Sequence, residues 1–91
     1  MTITVKRWMA DKKAEEMAAY NLMPVYKYFD DPMIGKYYID KDNDTVTFKA
    51  VEKIRESEKA MQVAIECETI GFRAHDPYRT WFPKSAIVSI Q

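Results

Sequence analysis

The single cysteine of this 91-residue chain, Cys67, and its single histidine, His75, offer the most reactive chemistry. A thiolate nucleophile needs an adjacent base, and this imidazole serves only if the chain folds back over the strand that carries the thiol. Cys67 follows Met61, Val63 and Ile65 at every second position, so the simpler expectation is a small buried hydrophobe. Two good ligands fall short of the four that a structural zinc takes, and no catalytic or metal role is expected. Asp40, Asp42 and Asp44 have the alternate spacing that opens a calcium loop. Thr45 stands where such a loop needs glycine and Val51 where it needs a bidentate glutamate, so a hydrated turn is expected, and no cofactor.

Two other groups could recognise a partner. Phe72, Arg73, His75, Tyr78 and Arg79 crowd donors and rings into a stretch that Gly71, Asp76 and Pro77 mark as an exposed loop over 71–77. Arg73, His75 and Tyr78 are the types a small RNase would use, but nothing in the chain fixes a second acid or base. Arg, Tyr and Phe are also enriched at protein interfaces, and a long interruption in a small domain is more than a connection needs. Protein recognition is therefore expected there. Tyr26, Lys27, Tyr28 and Tyr37 form an aromatic–basic run of the kind that stacks single-stranded bases and tracks phosphates. Aromatic residues favour strands in any case, and Asp30 and Asp31 repel phosphate, so nucleic-acid binding is the alternative reading.

Composition sets outer limits. Fourteen basic and fourteen acidic residues balance, which disfavours a protein whose main business is coating phosphate backbones. The length allows one domain, residues 1–91, with one modest core. A lone cysteine excludes an intramolecular disulfide, and the chain shows neither a membrane-length apolar run nor the apolar core of a signal peptide. A cytoplasmic protein with no membrane association is expected.

The elements that must position these groups follow from period and punctuation. Residues 45–56 and 59–68 read as a long hairpin, with Val46, Phe48 and Ala50 on one arm and Met61, Val63, Ile65 and Cys67 on the other. Residues 2–6 alternate as a short strand, expected at a sheet edge because Lys6 and Arg7 discourage pairing. Asp11 is a good N-cap for a helix over 12–22, burying Ala14, Met17, Ala18 and Leu22 and stopping at Asn21 and Pro24. Residues 25–29 and 33–39 read as strands, and Pro83-Lys84-Ser85 as a tight turn before a last strand over 86–90. Trp81 is expected to anchor the core. The fold class is α+β: a small, strongly bent antiparallel sheet of about five strands, SH3- or OB-like, with one N-terminal helix packed on it.

Glu58-Lys59-Ala60 followed by Trp81-Phe82-Pro83-Lys84-Ser85-Ala86-Ile87 resembles a pattern in small, mostly uncharacterised phage and mobile-element proteins with a compact β-barrel. The resemblance covers the C-terminal half and brings no chemistry. It implies a setting in which small accessory proteins occupy a surface of a host protein. Inhibition of a host defence complex, such as a CRISPR effector, is the concrete version by analogy. The expected function is a non-catalytic protein-binding module; a single-stranded DNA or RNA binder is the alternative.

Overall fold

The computed structural model describes residues 1–27, 29–31, 36–37 and 43–91. Among these residues, eight strands and one helix run in the order β1 (Thr2–Lys6), α1 (Arg7–Ala18), β2 (Leu22–Pro24), β3 (Phe29–Asp31), β4 (Lys36–Tyr37), β5 (Thr45–Glu56), β6 (Ala60–Thr69), β7 (Ala74–Pro83) and β8 (Ile87–Ile90). A 3-10 turn, Lys84–Ala86, joins the last two strands, as the sequence led one to expect. The α+β class holds. Six strands form one antiparallel sheet in the order β2-β6-β5-β1-β8, with β7 on β6, and the sheet is not closed into a barrel. β3 and β4 pair separately; the rest of the expected strand over 33–39 lies outside the described residues, as do Asp40 and Asp42.

The long hairpin is the frame, and β5 is shared along its length. Its first half, Thr45 to Lys49, pairs with β1; its second half, from Ala50, pairs with β6. Register shifts between Ala50 and Glu52 and between Lys53 and Arg55 each set an extra β5 residue against β6. Such bulges bend and over-twist a strand. Where β5 and β6 splay, the segment over 22–27 fills the gap. β2 pairs with β6, the Val25 amide donates to the Glu66 carbonyl at 3.0 Å, and the Lys49 amide donates to the Val25 carbonyl at 2.8 Å.

Side-chain alternation puts Val46, Phe48, Ala50, Val63, Ile65 and Cys67 in the core with Ile3 and Val5, and Met61 packs against it partly buried. Phe48 is central: its ring lies 5.3 Å from Tyr26 and 6.3 Å from Phe82, centroid to centroid.

Several expectations are corrected. β1 is not an edge strand; it lies between β5 and β8. The helix begins five residues before the expected start, because β1 runs into it without a loop and the Asp44 carbonyl accepts from the Arg7 amide at 2.9 Å. That backbone acceptor takes the place of a side-chain cap, so Asp11 sits inside the helix. The buried stripe is Met9, Ala10, Lys13 and Met17, not Ala14, Met17, Ala18 and Leu22 on one helical face; Leu22 is buried from β2 and Ala18 is exposed. The helix ends at Ala18, short of the expected end near Leu22; Asn21, in the turn that follows, takes a left-handed φ of 62°.

Trp81 is another. In β7 the inward positions are Tyr78, Thr80 and Phe82, opposite Ile65, Val63 and Met61, so Trp81 faces outward and is 42% exposed while Phe82 is fully buried. Among the described residues no helix is long and apolar enough to cross a membrane. Phe82→Ala is therefore expected to lose about 3–5 kcal/mol, a large part of a small domain's stability, and Trp81→Ala less than about 1 kcal/mol. Chemical denaturation of the two variants checks this; equal losses would show that the inward face of β7 is misassigned.

Candidate functional site

The stretch expected to be one exposed loop is mostly strand. Only residues 70–73 lie between β6 and β7, and the two strands pair from Ala60–Pro83 to Glu68–Ala74. Between Ile65–Tyr78 and Cys67–His75 β7 carries one extra residue, and this bulge absorbs Pro77, which lacks an amide for the ladder. The five expected recognition residues are thereby dispersed. Phe72 and Arg73 cap the hairpin tip, His75 lies against Cys67, Tyr78 faces the helix, and Arg79 points to the opposite face.

Strand pairing, rather than a folded-back loop, brings Cys67 and His75 together, with Sγ 3.8 Å from Nδ1. The Asp76 carbonyl decides what the pair can do. It accepts from the Cys67 thiol at 3.1 Å and from His75 Nδ1 at 2.9 Å. A carbonyl only accepts, so Nδ1 carries the proton and has no lone pair for the thiol. Burial pushes the Cys67 thiol up most; the Tyr78 backbone hydrogen bond opposes it, and the Asp76 and Glu68 carboxylates add smaller upward pushes. The net effect, led by burial, favours the thiol over the thiolate. No group of three metal-ligating side chains occurs among the described residues.

A buried polar link ties α1 to β7. The Lys13 ammonium, drawn below the surface among apolar neighbours, donates to Thr80 Oγ1 at 2.6 Å and to Glu16 Oε2 at 3.2 Å. Thr80 in turn donates to Glu16 Oε2 at 3.3 Å. The ammonium also lies 5.1 Å from the centre of the Phe82 ring. Tyr78 closes the group: burial first, then the Glu16 carboxylate, holds its phenol above the usual range.

Beyond this link lies the most exposed aromatic surface among the described residues. Tyr20 stacks at 6.2 Å on Tyr78, and the Ile70 amide donates to the Asn21 carbonyl at 3.1 Å, so the turn after α1 abuts the hairpin tip. Tyr20 is 68% exposed, Ile70 48% and Phe72 76%. The tip is a three-residue loop over 70–72. The Phe72 amide donates to the Thr69 carbonyl at 2.8 Å, the Thr69 amide donates to the Arg73 carbonyl at 2.8 Å, and the Arg73 amide donates to Thr69 Oγ1 at 3.2 Å. Loops of this form place one residue in the left-handed region, where glycine belongs. Here the glycine stands one position early: Phe72, with φ 63°, takes the strained conformation and Gly71 does not.

No protein-family model matches the chain, and neither a curated protein nor a solved structure matches it. What the chain can do is read from its own geometry. The aromatic–basic run proposed for single strands loses Tyr26, which is buried on Phe48. Lys27 is exposed, Tyr28 lies outside the described residues, and Tyr37 is described only as a backbone partner of Phe29. Tyr20 and Ile70 were missed because only the meeting of two distant turns places them beside Phe72; an exposed aromatic just past a helix end was the sole local signal.

Cys67 is expected to alkylate with iodoacetamide at least about tenfold more slowly than free cysteine near neutral pH, rising only above the ordinary thiol range. Mass spectrometry of timed samples measures it. Fast, pH-independent labelling would show a thiolate and reopen the pair as a nucleophile.

Proposed function

We propose that the protein is a non-catalytic protein-binding module whose contact surface is the hairpin tip: Phe72 and Ile70 with Tyr20 beside them, and Arg73 as the charged anchor. The observation that carries this reading is Phe72. A bulky aromatic held at positive φ costs about 1–2 kcal/mol relative to glycine's freedom there, and its side chain is 76% exposed, so burial in the fold returns little of it. Strain kept with no packing return argues for a use outside the fold. Rings and a guanidinium are the side chains that dominate binding energy at protein surfaces.

The partner is a protein of the host cell cytoplasm, met in the setting that the phage and mobile-element resemblance implies; a defence complex such as a CRISPR effector is the concrete case. Cys67 and His75 support the non-catalytic reading through their protonation, since the thiol faces an imidazole nitrogen that already bears its proton.

The test uses one substitution with two opposite effects. Phe72→Gly removes the ring and relieves the backbone, so the melting temperature should rise by about 4–8 °C, the shift that roughly 1 kcal/mol gives in a domain of this size. Capture of a protein partner from nuclease-treated host lysate should fall at least tenfold, and Arg73→Ala should lower it without moving the melting temperature. Undiminished capture by both variants would remove the tip from the function. Capture that vanishes with nuclease treatment alone would replace the protein partner by nucleic acid.

A further inference from the structure

The sheet face turned away from α1 carries two cross-strand rows. In one, Glu52 of β5 lies opposite Ala64 of β6, which lies opposite Arg79 of β7. In the next, Arg55 lies opposite Gln62, which lies opposite Trp81. Directly paired residues project to the same side, so all six share this outer face. Glu52, Arg55, Arg79 and Trp81 are exposed, and none of the three charges makes an ion pair among the described residues. Within one chain Glu52 and Arg79 stand two strand spacings apart, about 9.6 Å, and no ion pair joins them.

We propose that this face is a self-association surface, on which a second copy of the chain sits about a two-fold axis running along β6. Such an axis lays each row on its own reverse. Glu52 then meets Arg79 of the second copy, and Arg79 meets its Glu52. Arg55 faces the Trp81 ring of the second copy, a cation–π contact made twice. Gln62 meets Gln62, and a carboxamide is its own complement because it both donates and accepts. Ala64, on the axis, is buried between the flanking side chains, so the rows meet through those neighbours. An isologous interface requires this kind of self-complementary pattern.

The charges argue against other occupants. Glu52 stands beside both arginines, and Glu66 and Glu68 follow on β6, so neither a phosphate backbone nor an acidic protein finds a uniform field. One row beyond Ala64, Glu66 falls on the axis. There the face opens into a groove of about 280 Å³, lined also by Val25, Lys49, Val51 and Pro77, which keeps the two carboxylates hydrated. An axis along β6 leaves both hairpin tips at the same end of the pair. The dimer therefore presents two partner surfaces side by side, the arrangement that gives avidity.

Three strands over about ten residues make a small interface, so the expected dissociation constant is on the order of tens of micromolar. Sedimentation equilibrium of the native chain from about 5 to 500 µM should show a dimer at low salt, weakened at least tenfold near 500 mM salt by screening. Glu52→Arg and Arg79→Glu should each be monomeric, and an equimolar mixture of the two should dimerise, because each supplies what the other lacks. Both positions are exposed, and melting temperatures close to the native value establish that the variants fold. A native chain that stays monomeric throughout, single variants that still dimerise, or a mixture that fails to associate would each overturn the proposal. So would a shift of the Trp81 indole resonance on adding the oligonucleotide dT15 to a monomeric native chain, which would assign the face to single strands.

Discussion

The division of β5 between two partners is the constraint on which the rest of the structure depends. A straight strand would pair with one neighbour along each whole edge; β5 gives its first half to β1 and its second to β6, and two bulges turn it between them. The turn opens a gap that only backbone with both donors and acceptors can fill, and the segment over 22–27 supplies them. Phe48 fills the inside of the bend against Tyr26 and Phe82, so the same residues that close the gap in hydrogen bonds close it in packing. This is why Tyr26 is spent on the core, and why the sheet stays open: each edge released by the bend is used to hold the bend.

The second dependency runs between the helix and β7. A lysine in a buried stripe is costly unless its ammonium is bonded, and Lys13 is bonded to Thr80 and Glu16. Replacing the neutral hydroxyl opposite it by an apolar group would leave the ammonium to Glu16 alone, so Thr80 on β7 and Lys13 on α1 suit one another. The link fixes which way β7 faces. With Thr80 inward, Phe82 must be inward and Trp81 and Arg79 outward, because a strand alternates. One polar contact thus decides both the composition of the core and that of the outer face.

The hairpin was legible in the sequence because each arm buries one face and exposes the other over many residues. Val46, Phe48, Ala50, Val63, Ile65 and Cys67 are all buried as their period implied. Elements that depend on tertiary partners were not legible. Lys13 looks like a solvated residue, and so the stripe was placed on the alanines instead. Asp11 looks like a cap, but a carbonyl from the far-off Asp44 does the work at Arg7. Trp81 and Phe82 are adjacent and both apolar; choosing between them needed the parity that Thr80 sets. Of the candidate site, Phe72 and Arg73 were readable as turn residues. The strand that separates Tyr78 from Arg79 was hidden by Pro77, which marks a bulge here rather than a loop.

These dependencies also make the tip rigid. Tyr78 touches Glu16, which bonds Lys13 and Thr80, and it stacks on Tyr20 at the helix end. Ile70 is hydrogen-bonded to Asn21 in the turn that the helix end forms. The aromatic tip is therefore braced from two sides, by the helix through side chains and by its turn through backbone. A hairpin end standing alone would lose much of its binding energy in ordering rings on contact. Here the ordering is done in folding, and the strained φ of Phe72 is the residue of it: the turn is held by Thr69 and Arg73, and the ring is carried outward on a backbone that cannot relax without breaking those bonds.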